Sequence, residues 1–150
     1  MGDKTEDFIE EAEKFKEEAA KELERAEKEN NAILFRDACE KGWNAIIQAT
    51  TALFIKKNLP LARSHWERCK RLEELETVDR RIEDLGMADR FSARDYHLHE
   101  QGFYEGILDP ATVKIELKKV ERYIKDSICL APFYNHEITQ IFTRKRILLI

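Results

Sequence analysis

Apolar residues recur along this chain at intervals of three and four, and no stretch alternates apolar with polar in the manner of a paired strand. Phe8, Ala12, Phe15, Ala19, Leu23 and Ala26 form one stripe, which predicts an amphipathic helix over roughly residues 5–28 with its Glu and Lys facing solvent. Glu29-Asn30-Asn31 is the first turn signal. From Asn31 to about Lys57 the apolar positions widen to include Leu34, Phe35, Ala38, Cys39, Trp43, Ile46, Ile47, Ala49, Leu53 and Phe54. A helix apolar over so much of its circumference belongs at the centre of a bundle. Gly42 lowers helix propensity there by about 1 kcal/mol against Ala, which predicts a closely approaching neighbour. Asn58-Leu59-Pro60 ends the helix.

Ser64-His65-Trp66-Glu67 reads as a capping box, Ser at N-cap and Glu at N3. The helix it opens is expected to run to about Glu76 and to bury Trp66, Cys69, Leu72 and Leu75. Thr77 to Leu85 is helical or broken, Gly86 marks a bend, and a fourth helix is expected from about Met87 to Gly102. In Gly106-Ile107-Leu108-Asp109-Pro110, Gly106 suits a C′ position, Asp109 an N-cap and Pro110 the first helical position. Leu108 can then staple onto Val113, and a fifth helix buries Val113, Leu117, Val120, Ile124 and Ile128 before Pro132. The expected fold is all-α, an up-and-down antiparallel bundle of about five helices over 1–131. Residues 132–150 are expected to form a tail, whose apolar end Ile147-Leu148-Leu149-Ile150 docks on the bundle or on a partner subunit.

Composition narrows the class. A chain of 150 residues, 43% hydrophobic and 37% charged, is one globular domain large enough to fold without disulfides or a structural metal. Cys39, Cys69 and Cys129 form no CxxC pair and read as reduced core thiols. The first residues are too charged for a signal peptide and no window approaches a membrane span, so a cytoplasmic location is expected. Net charge is −4; residues 1–30 carry 12 acidic and 6 basic groups, the remaining 120 carry 18 and 20. That balance disfavours general nucleic-acid binding and leaves room for a local basic site. With no HExxH, EF-hand, P-loop or GxGxxG, neither a metal nor a dinucleotide cofactor is expected.

Two stretches carry a resemblance. DACEKGWNAIIQATTALFIKKNLPLARSHWERCKRLEEL (37–75) resembles the central helix pair of HEPN domains. HLHEQGFYEGILDPATVKIELKKVERYI (97–124) resembles the archaeal PaREP branch of that superfamily. The likeness covers roughly residues 30–128. It implies an up-and-down helical bundle that commonly homodimerises. Many HEPN proteins are metal-independent endoribonucleases, and others are non-catalytic interaction modules, some partnering nucleotidyltransferase-like proteins. Single-stranded RNA or a nucleotide is the implied ligand of the first kind.

Active HEPN ribonucleases carry Arg, a polar residue, three more residues and then His. Arg94-Asp95-Tyr96-His97-Leu98-His99 fits with Asp in the polar place, making Arg94, Asp95 and His99 the candidate catalytic residues; Arg90 with His97 is an alternative pairing. A base that deprotonates a 2′-OH, an acid that protonates the departing 5′-oxygen and a cation on the phosphate suffice to cut RNA without metal. His and Arg suit these tasks. On one continuous α-helix, residues five apart differ by about 140°, so Arg94 and His99 face apart. A helix start capped by Ser92-x-x-Asp95, or a two-fold dimer that takes Arg from one subunit and His from the other, would bring them together. The plain alternative is that these residues are surface i,i+3 and i,i+4 pairs. His65 reads as a helix-start residue rather than a ligand, and Arg94 in a solvent-lined cleft would matter little to stability. Tyr96, Phe103 and Tyr104 could stack on bases, or be core or interface.

Overall fold

The computed structural model describes residues 4–130. They form six α-helices and one π-helical segment, with no strand among them: α1 (Lys4–Glu29), α2 (Ala32–Lys56), α3 (His65–Val78), α4 (Arg80–Leu85), α5 (Met87–Arg94), the π segment (Asp95–Glu105) and α6 (Pro110–Leu130). The tail beyond 131 and His136 lie outside the described residues.

Local chemistry sets the ends. Asn30 takes φ 47° and ends α1, while the Asn31 side chain accepts from the Ile33 and Leu34 amides at 2.9 and 3.3 Å and starts α2. Ser64 Oγ accepts from the Glu67 amide at 3.1 Å, and Glu67 reaches back to the Arg63 amide at 2.7 Å. Asp79 closes α3 and caps α4 through the Arg81 amide at 3.0 Å. Thus the stretch expected to be helical or broken is one further short helix. Gly106, at φ 65°, ends the π segment, where the Gly106 and Ile107 amides both donate to the Gln101 carbonyl. Asp109 accepts from the Thr112 amide at 2.8 Å and opens α6.

Contacts across the bundle fix its directions. The two-residue turn between Glu29 and Ala32, with the Glu22–Lys41 pair, sets α1 antiparallel to α2. Arg36 meets Phe103 and Tyr104, and Cys39 meets Gly102, so α5 and the π segment run back along α2. Arg90–Asp126 and Arg94–Glu116 set α6 antiparallel to that strut. The four long elements therefore alternate up and down, with α2 central and twelve of its residues buried. Trp43, Ile46, Leu53, Phe54, Phe91, Leu98, Val120, Tyr123 and Ile124 fill the core. The Thr50 and Tyr123 hydroxyls, both buried, satisfy each other at 2.6 Å.

Two expectations about burial do not hold. Trp66 is 69% exposed, because α3 turns His65, Leu72 and Leu75 inward and Trp66 falls beside that stripe, under the Lys70 ammonium. Of the cysteines, only Cys39 is a core thiol, its pKa pushed up to about 12 by burial and by the Glu116 and Glu40 carboxylates. Cys69 is partly buried and Cys129 exposed.

Candidate functional site

The helix expected over 87–102 changes its winding at Arg94. Ser92 starts no new helix: the chain is helical through it, and its Oγ lies 3.1 Å from Cys69 Sγ. From Asp95 to Glu105 the backbone takes the wider π turn, longer here than the usual single-turn π-bulge. Residues four and five apart both become neighbours. His97 Nδ1 lies 2.8 Å from Gln101 Oε1, Gln101 Nε2 donates to the Tyr96 hydroxyl at 3.2 Å, and His99 meets both Phe103 and Tyr104.

Asp95 and His99 come together, and with them stands His65, the first residue of α3; one ligand atom from each lies within 4.8 Å of the others. The His65 and His99 rings meet edge to face, centroids 5.2 Å apart, and both rest on Trp43. Glu40 Oε2 lies 2.8 Å from His99 Nδ1 and orients that ring. Arg68 Nη1 lies 3.1 Å from His65 Nδ1. Since a guanidinium only donates, His65 Nδ1 is the acceptor and the ring's proton sits on Nε2. Burial lowers the His65 pKa, Arg68 and His99 add to that, and Asp95 and Glu40 oppose it. Asp95 Oδ1, Trp43 Nε1 and Arg68 Nε are buried without a hydrogen-bond partner. Tyr96 and Tyr104 are exposed.

Arg94 goes elsewhere. Its side chain is 7% exposed and its Nε lies 2.7 Å from Oε2 of Glu116 on α6, whose side chain is 4% exposed. The contact is a charge pair rather than an aligned hydrogen bond, since neither atom completes one. Lys119 closes the other Glu116 oxygen at 3.0 Å. Arg94 is therefore part of the seam with α6, not the lining of a solvent cleft. The alternative residues also part: Arg90 pairs with Asp126 at 2.8 Å and sits over the Tyr123 ring, while His97 turns to Gln101 and Tyr96. An open groove of about 550 Å³ between α1 and α6 is lined by Lys16, Leu23, Glu24, Lys114, Leu117 and Glu121, and shares no residue with the His65–Asp95–His99 group.

Sequence reasoning missed His65, Glu40, Trp43 and Arg68. Only the capping signal at Ser64 pointed at His65, by fixing it as the first residue of a helix. Nothing local tied it to a segment thirty residues on.

The family model of the archaeal PaREP1/PaREP8 proteins matches residues 5–124, from the first turn of α1 well into α6. The chain belongs to that family. No curated protein matches the chain. The PaREP1/PaREP8 match spans all the elements that hold the group: Glu40 and Trp43 on α2, His65 and Arg68 on α3, and Asp95 and His99 on the π segment. Among the described residues, no helix is long and apolar enough to cross a membrane.

Proposed function

We propose that this PaREP1/PaREP8 protein is a HEPN-like, cytoplasmic RNA-binding protein and metal-independent endoribonuclease, with its reaction centre at His65, Asp95 and His99. The observation that carries the reading is the pairing of two imidazoles at 5.2 Å beside a carboxylate and the Arg68 cation. In one turnover an imidazole takes the proton of a ribose 2′-OH and the 2′-oxygen attacks the adjacent phosphorus. The bond from phosphorus to the 5′-oxygen breaks, and the second imidazole, protonated, gives that oxygen its proton. The products are a 2′,3′-cyclic phosphate and a 5′-OH. Arg68 is placed to stabilise charge on the phosphate, and Tyr104 and Tyr96 are exposed for base stacking. Arg94 enters this reading as a positioning residue, which pins the π segment to α6 through Glu116.

The test is cleavage of single-stranded RNA in EDTA, with DNA as the inert control. His65→Ala and His99→Ala are each expected to lower the rate by about 10²-fold or more. Equal trace activity in wild type and both variants would sink the reading. A second reading would then take its place: a non-catalytic module that homodimerises or binds a nucleotidyltransferase-like partner. It draws on the exposed Ile33, Tyr104 and Ile107, gathered at one end of the bundle where Arg36 holds the Phe103 and Tyr104 carbonyls.

A further inference from the structure

We propose that His65, Asp95 and His99 form a binding site for one first-row divalent transition-metal ion, of the zinc or cobalt kind. Two imidazoles and one carboxylate are the donor set that such ions take in open sites, leaving at least one position for water or another ligand. Tetrahedral ligation at about 2.0–2.1 Å sets neighbouring donors about 3.3 Å apart. The three donors lie within 4.8 Å of one another, so side-chain rotations of about an ångström close the site.

Three independent features favour a cation there. Asp95 Oδ1 is buried and has no hydrogen-bond partner, although buried carboxylate oxygens are ordinarily satisfied. The Glu40 carboxylate, 2.8 Å from His99 Nδ1, is the outer-shell partner that metal-binding histidines use to fix their tautomer and leave the other nitrogen's lone pair for the ion. Trp43 lies under both imidazoles and holds the rings in place from the apolar side. The two carboxylates outweigh the one nearby cation, Arg68, so the group carries a net negative charge when its imidazoles are neutral. Arg68 is the competitor: its guanidinium at His65 Nδ1 repels a second cation and keeps the ring proton on Nε2, so His65 ligates an ion through either nitrogen only once Arg68 has swung away from Nδ1.

The inference goes beyond the RNA reading and does not rest on it. An ion here ties up the lone pairs that acid–base work on RNA requires, so the ion-bound and RNA-cleaving states exclude one another. Ion uptake is therefore read directly, without RNA. The full chain, stripped with chelator and dialysed, is titrated with Zn²⁺ by calorimetry and with Co²⁺ by visible absorption. One ion per chain is expected, with Co²⁺ bands of a low-coordinate nitrogen–oxygen site. His65→Ala, Asp95→Asn and His99→Ala are each expected to weaken binding at least tenfold. Glu40→Gln should weaken it by about 10–100-fold at unchanged stoichiometry, and Arg68→Gln should tighten it. Zn²⁺ should raise the wild-type melting temperature, and that of Asp95→Asn by less at the same Zn²⁺ concentration. His65 stands at the start of α3, so its variant keeps the test alive should His99→Ala fail to fold. Absence of uptake by the wild type, or uptake undiminished in both His65→Ala and Asp95→Asn, overturns the assignment.

Discussion

Replacing Gly102 with alanine adds one methyl group at a tight seam of the bundle, where the π segment lies on α2. An ideal Cβ there falls 2.6 Å from Cys39 Sγ, 2.7 Å from Cys39 Cβ and 3.2 Å from the His97 carbonyl oxygen. Ordinary carbon contacts sit at about 3.5–4.0 Å. The thiol could rotate away, but Cys39 Cβ is fixed to the α2 backbone, so the two elements must part by about 1 Å. Overpacking of this kind costs about 1–3 kcal/mol, against about 1 kcal/mol regained when alanine replaces glycine in a helix. We expect a net loss of up to about 2 kcal/mol, or up to about 8 °C in Tm for a chain of this size. The comparison that isolates the cause is Gly42→Ala. Its nearest atom, at 2.7 Å, is Leu117 Cδ2, the far end of a partly exposed side chain, and the next is at 3.5 Å. That substitution should be neutral or stabilising by up to about 1 kcal/mol. Urea denaturation at constant m-value measures both. Cys39→Gly removes both clashing atoms, so its cycle with Gly102→Ala should show a favourable coupling of about 1 kcal/mol or more. Gly102→Ala as stable as Gly42→Ala, or a cycle without coupling, would refute the close-approach account.

The Arg94–Glu116 pair is buried on both sides. Arg94→Ala leaves the buried Glu116 carboxylate with Lys119 alone as its charged partner and should cost up to about 3–5 kcal/mol, whereas Arg94→Met with Glu116→Leu should be much nearer to wild type. Denaturant melts of the three proteins decide this, and an Arg94→Ala variant as stable as wild type would show that the carboxylate is not held by this arginine. Asp79 accepts from Arg81 and from Lys57, and these bonds hold its carboxyl well below the usual range. Its folded-state pKa lies below the unfolded value of about 3.9. Its contribution is therefore complete above about pH 5 and is lost as pH falls through the folded value, the unfolded chain taking the proton first. The stability difference between wild type and Asp79→Asn, measured from pH 6 to pH 3, should shrink toward acid; a constant difference contradicts the assignment.

What was legible in the sequence was what neighbours in sequence determine. Asn31, Ser64 and Asp109 cap helices because a side-chain oxygen reaches an amide two or three residues on, and Gly106 ends a helix because only its own φ is at issue. The central place of α2 followed from the breadth of its apolar face. The up-and-down order follows from that pattern and from short connections. What was not legible depends on partners far along the chain. Trp66 looks like core by composition, yet α3 is oriented by His65 against Trp43 and by Leu72 and Leu75. Arg94 and His99 are paired by the HEPN-like motif, and a motif cannot say that a glutamate 22 positions beyond Arg94 takes its guanidinium. His65 and Glu40 reach His99 across 34 and 59 residues, and no local signal ties either to it.

The π winding explains how one short segment serves two faces. On an α-helix His99 could not meet both the residue four ahead and the residue five ahead with its ring, yet here Phe103 stacks on it at 6.3 Å and Tyr104 meets it edge-on at 4.9 Å. The same wide turn begins just after Arg94, so the last α-helical residue is fastened to α6 while Asp95 and His99 turn toward α2 and α3. Wide winding is unfavourable in isolation and persists where the surroundings over-determine it. Two of those surroundings lie side by side on α2: Cys39, which Gly102 alone is small enough to approach, and Glu40, which holds His99 at 2.8 Å. The packing that keeps the segment in its turn and the bond that orients its histidine thus rest on consecutive residues of α2. A substitution that lifts Gly102 from Cys39 should loosen His99 as well, so that the stability of this seam and the chemistry proposed for His65, Asp95 and His99 are expected to change together.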